Sequence, residues 1–129
     1  DYTSEVQAAV PWYGVVNLLS AKQGSRTNDF DFVYRNILGA DPETHADLVA
    51  QADPQHFVTA TTVPFLLLHG TDDEVVPIED SRQFYQCLTA KGVTADLIEL
   101  EHAQHMDEQF MQPEIVTLIV DFLRRQLAI

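Results

Sequence analysis

The residues of this sequence best suited to acid–base chemistry are an aspartate and a histidine, each following an apolar stretch. Asp73 comes shortly after the apolar run 63–68, and His105 comes shortly after the apolar residues of 95–100. A carboxylate that accepts from one imidazole nitrogen fixes the tautomer, so the other nitrogen can act as a general base. Such a pair supplies two groups of a nucleophile–base–acid triad. From spacing alone, a solvated loop acid and a surface histidine remain equally good interpretations.

Neighbouring strands of one sheet would have to position these two side chains. Residues 63–68 are apolar at every position, as in a central parallel strand that is covered on both faces. Phe84, Cys87 and Leu88 then recur at helical spacing before a second apolar stretch at 94–100. Strand, helix and strand in succession predict a βαβ unit with adjacent parallel strands. The loops after both strands then leave the same sheet edge, where α/β folds place their chemistry.

The rest of the chain predicts a small α/β fold that forms one domain over residues 1–129. Three strands are expected, at 6–12, 63–70 and 94–100. The other expected elements, in chain order, are an irregular loop over 15–27, a helix over 28–38 that stops at Gly39, a short helix with Asp41 as N-cap and Pro42 in its first turn, and a terminal helix over 113–127.

Composition excludes several classes of partner. The 129 residues carry a formal net charge of −13, which disfavours nucleic acid and anionic membrane surfaces. No apolar run approaches the roughly 20 residues that span a bilayer.

Cys87 is the single cysteine, so an internal disulfide is impossible, and its helical context predicts a buried thiol. The first residues contain neither an initiator Met nor signal-peptide features, so we expect a piece of a longer chain.

The segment from His69 to Pro77, His-Gly-Thr-Asp-Asp-Glu-Val-Val-Pro, resembles the His-Gly-x-x-Asp-x-x-Val-Pro motif of α/β-hydrolase esterases and lipases. The resemblance extends over nearly the whole chain, through Trp12-Tyr13-Gly14, Asp53-Pro54, Ser81 and Gly92. It implies a partial α/β-hydrolase fold, with three layers and about three parallel strands flanked by helices.

The resemblance also implies roles for two residues. The motif's fifth position, the triad acid, corresponds to Asp73, because the spacing to Val-Val-Pro selects it over Asp72. The triad base corresponds to His105, which alignment on the residues that follow favours over His102. The resemblance implies a small-molecule ester substrate and no cofactor. His69 is then expected to support the loop that holds Asp73.

The sequence departs from the family pattern in ways that bear on activity. No Gly-x-Ser-x-Gly nucleophile elbow is present, since none of the five glycines brackets a serine in this way, and the His-Gly-Gly oxyanion loop is also missing. Asn17 stands where related sequences often carry Asp, and Met106 stands where the family typically has Gly after the base. The sequence therefore resembles the C-terminal half of a serine esterase, and the chain alone is expected to be inactive.

Other interpretations remain open at this point. The same layout occurs in prolyl-oligopeptidase-type serine peptidases, and a non-catalytic stand-alone binding module that reuses half a fold is a further alternative. His102 and His105 with Asp107 form a weaker candidate metal site. Trp12 and Tyr13 could line an acyl pocket, although aromatic residues at a strand end more often pack in the core. An exposed apolar sheet edge at 6–12, or an apolar patch that a missing half would have covered, predicts a homodimer.

Overall fold

The computed structural model describes residues 3–26 and 31–128, with the backbone alone for 31–34. In chain order, the helices and strands are α1 (Leu18–Gly24), α2 (Asp31–Leu38), α3 (Ala46–Ala52), β1 (Phe65–Gly70), α4 (Ile78–Ala90), β2 (Ala95–Leu100) and α5 (Pro113–Leu127). Two 3₁₀ turns, Pro54–Phe57 and Glu108–Met111, precede β1 and α5. Within residues 3–26 and 31–128, no helix is both long and apolar enough to cross a bilayer.

β1 and β2 form the centre of the fold. They pair in parallel, in register from Phe65 opposite Ala95 to Gly70 opposite Leu100, and α4 connects them. The predicted parallel βαβ arrangement is therefore confirmed. Both strands end at the same edge of the sheet, and the loops that carry Asp73 and His105 start there.

The continuous strand predicted over residues 6–12 is not observed. The stretch runs beside β1, but the two make isolated parallel bridges at Ala9–Phe65 and Trp12–Leu68. Ala9 donates to the carbonyl of Pro64 and accepts from Leu66, as in a regular ladder. Two residues later the ladder needs an N–H at Pro11, and proline has none, so the pairing is interrupted there.

The sheet has an apolar core on each face, because side chains alternate between the two faces along a strand. Leu67 packs on one side with Phe84 and Leu88 of α4. Leu66 and Leu68 pack on the other side, where the buried cluster also contains Leu100, Ala103, Phe110 and Phe122. The two cores give three layers, with α4 and α5 on opposite faces of the sheet, in agreement with the α/β fold class expected from the sequence.

Two expectations for the first half of the chain were wrong. Residues 18–24 form α1 rather than an irregular loop, because the side chain of Asn17 caps the helix by accepting from the N–H groups of Leu19 and Ser20. Asp41 caps a single turn by accepting from the N–H of Glu43, and α3 begins only at Ala46.

The expectations for the other helices agree with the structure where it describes them. α2 ends at Leu38 and Gly39 adopts a left-handed φ of 72°, as its predicted stop position requires. The predicted start of this helix, at 28–30, lies outside the described residues. α5 spans the predicted range 113–127.

Candidate active site

The loops after β1 and β2 lie against each other at the end of the sheet. The N–H of Thr71 donates to the carbonyl of Leu100, and the N–H of Asp72 donates to the carbonyl of Ala103. Gly70 allows this close approach, because a Cβ built on it would lie 2.2 Å from the Ala103 oxygen. The two loops are thereby held in one fixed arrangement.

This arrangement brings Asp73 and His105 into direct contact. Nδ1 of His105 lies 2.8 Å from Oδ2 of Asp73, whose side chain is fully buried. The other carboxylate oxygen, Oδ1, accepts from the N–H groups of Val75 and Val76 at 2.8 and 2.9 Å. His69 also contacts the carboxylate, with Nε2 at 3.3 Å from Oδ2. Four donors therefore converge on one aspartate.

The donors keep Asp73 ionised in spite of its burial. Removal from water by itself raises the pKa of the carboxyl group. The hydrogen bonds from His69, Val76, His105 and Val75 together outweigh this effect and lower the pKa to about 2. At neutral pH the group is a carboxylate, and it accepts a hydrogen bond from Nδ1–H of His105. In a neutral imidazole, Nε2 then carries the lone pair and is the basic atom.

The neighbouring acid and histidine form a separate pair. Nδ1 of His102 lies 3.4 Å from Oδ2 of Asp72, and both side chains are exposed, by 77% and 51%. The buried acid therefore meets the partly buried histidine, and the exposed acid meets the exposed one.

Of the two aromatic residues just before α1, Tyr13 contacts His105, whereas Trp12 contacts Phe110. The ring of Tyr13 lies 4.4 Å from the imidazole, centroid to centroid, and makes an edge contact with Phe110. Trp12 stacks on Phe110. Trp12 therefore packs in the core, whereas Tyr13 borders the candidate base. Tyr13 has a φ of 40°, an uncommon conformation for a residue with a side chain.

The weaker metal-site hypothesis gains no support from the geometry. Among residues 3–26 and 31–128, no group of three or more His, Cys, Asp or Glu side chains is arranged to hold a metal ion. Asp107 instead caps the 3₁₀ turn before α5 by accepting from the N–H of Gln109, and it also accepts from Gln104.

Two buried structural carboxylates were not predicted from the sequence. Asp80, 2% exposed, accepts from the N–H groups of Val16 and Asn17 and from the Ser20 hydroxyl. It lies four residues before Phe84 on the same face of α4, so its position in an apolar stripe was the available signal. Asp53 accepts from the Asn17 amide, a bond that needs a donor and so explains why Asn serves at position 17 here.

Replacing Met106 with Gly should stabilise the protein by up to about 1 kcal/mol. Met106 follows the candidate base with a φ of 59°, and its side chain is 73% exposed, so Gly relieves backbone strain and loses little packing. Met111→Gly is the matched control: this exposed Met is not among the residues with positive φ, and Gly there should lower stability. Urea unfolding measures both, and equal shifts in the two variants would contradict the strain argument.

Comparison with known proteins identifies the family. The family model described as BD-FAE matches residues 1–88. The chain belongs to the BD-FAE family. It is a partial α/β-hydrolase chain of the esterase type, as its relatives also indicate. The part matched by the BD-FAE model contains His69 and Asp73 and ends before His105. The case for His105 therefore rests on its contact with Asp73.

Several relatives of this BD-FAE chain are named as esterases or peptidases. Esterase LipQ of Mycobacterium tuberculosis is 33% identical over 101 residues, which are 78% of this chain and 24% of LipQ. A truncated carbohydrate esterase from gut microbiota is 26% identical with a TM-score of 0.83, over 95% of this chain and 43% of that one. A puromycin-hydrolyzing peptidase of M. tuberculosis is 27% identical with a TM-score of 0.64, over 77% and 15%. The chain spans about a quarter of the length of the curated esterases it matches.

Proposed function

We propose that this chain supplies the acid and the base of a serine carboxylic-ester hydrolase. His105 takes the proton from a nucleophilic serine, and Asp73 orients the ring and stabilises the imidazolium that forms. The observation that carries the proposal is the 2.8 Å contact between His105 Nδ1 and a buried, ionised Asp73. In this role Asp73 stays deprotonated throughout the reaction.

The nucleophile in this proposal comes from polypeptide outside residues 1–129. The sequence contains no Gly-x-Ser-x-Gly elbow, and the chain corresponds to about a quarter of its esterase relatives. The acyl-enzyme forms on that serine, and His105 returns its proton to the departing alcohol. The esterase relatives support a small-molecule ester as the substrate.

A serine peptidase is the second candidate, favoured by the likeness to the puromycin-hydrolyzing peptidase. Both candidates use the same acid and base, so the distinction lies in the bond that is cleaved. Rates of the full-length protein on matched acyl esters and peptide amides separate them. Faster hydrolysis of the amides would favour the peptidase.

The test compares the full-length polypeptide with residues 1–129 alone. We expect the full-length protein to hydrolyse p-nitrophenyl esters and the 129-residue chain to show no rate above buffer, because the nucleophile and the oxyanion donors are missing from it. Robust turnover by the short chain that disappears in His105→Ala would overturn the proposal that its site is partial. Inactivity of the full-length protein on esters and amides alike would favour the binding module.

We also propose that residues 1–129, prepared alone, form a homodimer through the stretch 6–12. The stretch contacts β1 on one side, and within the described part of the chain no bridge joins it to a second neighbour. Val6 is 58% exposed there. Light scattering should give about twice the monomer mass of 14.5 kDa, and Val6→Lys should weaken the dimer, since charge on an edge opposes pairing. A monodisperse monomer at high concentration would contradict the proposal.

A further inference from the structure

A second histidine reaches the Asp73 carboxylate from inside the protein. His69, at the end of β1, has no exposed surface, and its Nε2 lies 3.3 Å from the same Oδ2 that accepts from His105. Its Nδ1 lies 2.6 Å from the hydroxyl of Ser81, which is 3% exposed in the first turns of α4. Ser81, His69, Asp73 and His105 therefore form one continuous line of hydrogen-bonding groups from α4 to the candidate base.

The surrounding acceptors decide the tautomer of His69. Nε2 faces the carbonyl of Val76 at 3.0 Å in addition to the Asp73 carboxylate, and both of these groups can only accept. A neutral ring therefore carries its proton on Nε2. Nδ1 then has the lone pair, and the Ser81 hydroxyl is the donor to it. Without that hydroxyl, a buried lone pair on Nδ1 would lose the donor that holds the ring in place.

We propose that Ser81 and His69 are positioning residues of the site: Ser81 holds the His69 ring in place by donating to Nδ1, and His69 fixes the Asp73 oxygen that accepts from His105. The inference rests on the proposed function, because it assigns these residues a part in setting the base of that reaction. Asp73 Oδ1 is bound by two backbone N–H groups, so the carboxylate cannot turn to compensate for a lost donor on Oδ2.

The consequence for His105 follows from the sharing of one oxygen. A donor from His69 withdraws charge from Oδ2, which weakens the attraction between Asp73 and a protonated His105. Losing that donor should raise the pKa of His105. The Tyr13 ring lies beside His105, and the same loops carry the Asp72–His102 pair and Asp107. Glu99 lies opposite His69 on β2, and its carboxylate is paired with Arg82.

The test measures imidazole ¹⁵N and ¹H NMR signals in the full-length protein as a function of pH. In the wild type we expect the Nε2–H tautomer for His69. In Ser81→Ala we expect the His69 ring to be held less firmly, so that its Nε2–H signal shifts as the hydrogen bond to Asp73 weakens and the pKa of His105 rises. Thr89→Ala is the matched control, because the Thr89 hydroxyl bonds to carbonyls of the same helix, at its far end.

Each outcome decides the inference. An Nδ1–H tautomer of His69 in the wild type would overturn it without any variant, so a Ser81→Ala protein that fails to fold does not block the test. A folded Ser81→Ala protein with an unchanged pKa for His105 would also overturn it. The acid limb of the kcat/KM profile should shift with the NMR value. If the NMR changes occur in a protein that hydrolyses no ester, the positioning network is correct and the proposed function is wrong.

Discussion

Asp73→Asn should reduce kcat/KM of the full-length protein for ester hydrolysis by about 10⁴-fold, the loss typical of a triad whose base adopts the wrong tautomer. Asn offers one acceptor oxygen to a position where four donors converge. If the oxygen faces the backbone, the amide nitrogen faces His105, whose Nδ1 must then accept and whose Nε2 becomes protonated. In the amide orientation that preserves the loop hydrogen bonds, His105 therefore cannot act as the base.

The matched control for this result is Asp72→Asn. Asp72 is the adjacent acid, but its side chain is half exposed and pairs with the exposed His102, so its loss should change the rate by no more than about twofold. The same comparison applies to His105→Ala against His102→Ala. Rates from p-nitrophenyl ester assays, with circular dichroism to verify folding, measure all four variants. A larger loss from Asp72→Asn than from Asp73→Asn would contradict the assignment of the acid.

Gly70→Ala should lower the free energy of unfolding by about 3 kcal/mol or more, because the added methyl group would meet backbone and not a flexible side chain. It would lie 2.2 Å from the carbonyl oxygen and 2.7 Å from the carbonyl carbon of Ala103. The loop can yield only by breaking the bond between Asp72 N–H and that carbonyl, which also holds the two site loops together.

Gly14→Ala provides the control for this substitution. Its added methyl group would find one atom nearby, the Cβ of Pro11 at 3.8 Å, which is an ordinary contact. We expect its stability to remain within about 0.5 kcal/mol of the wild type. Denaturant unfolding followed by Trp12 fluorescence and circular dichroism measures both variants. Equal stability of the two would show that the β2 loop moves aside at little cost.

The parts of the fold that local sequence dictates could be predicted, and those that depend on distant residues could not. The apolar run before Gly70 and the stripes of α4 and α5 each specify an element by their own periodicity. α1 was missed because its seven residues follow Asn17, a cap signal that is weak without an apolar repeat. The continuous strand predicted at 6–12 is wrong because Pro11 interrupts a ladder only where the neighbouring strand needs an N–H from that position. The local sequence does not show which neighbour that is.

The residues of the candidate site also differ in how far the sequence predicts them. Under the family resemblance, motif spacing points to Asp73 among three consecutive acids, and the residues that follow favour His105 over His102. Their difference arises from the loop backbone, which directs His102 to solvent and His105 to the carboxylate. The contact between Ser81 and His69 joins a helix to a strand twelve residues earlier, and its hydrogen-bond direction depends on Val76 as well.

The Asp80 carboxylate links the start of α1 to a helix far along the chain. The groups it binds, in residues 16–20, precede it by 60 to 64 residues, and α1 contains only seven residues. A helix of that length is not stable by itself in water, and closing a loop of this size costs entropy before any contact forms. The bonds between residues 16–20 and Asp80 therefore stabilise α1 only where α4 is in place. This part of the stability of α1 depends on a later part of the chain.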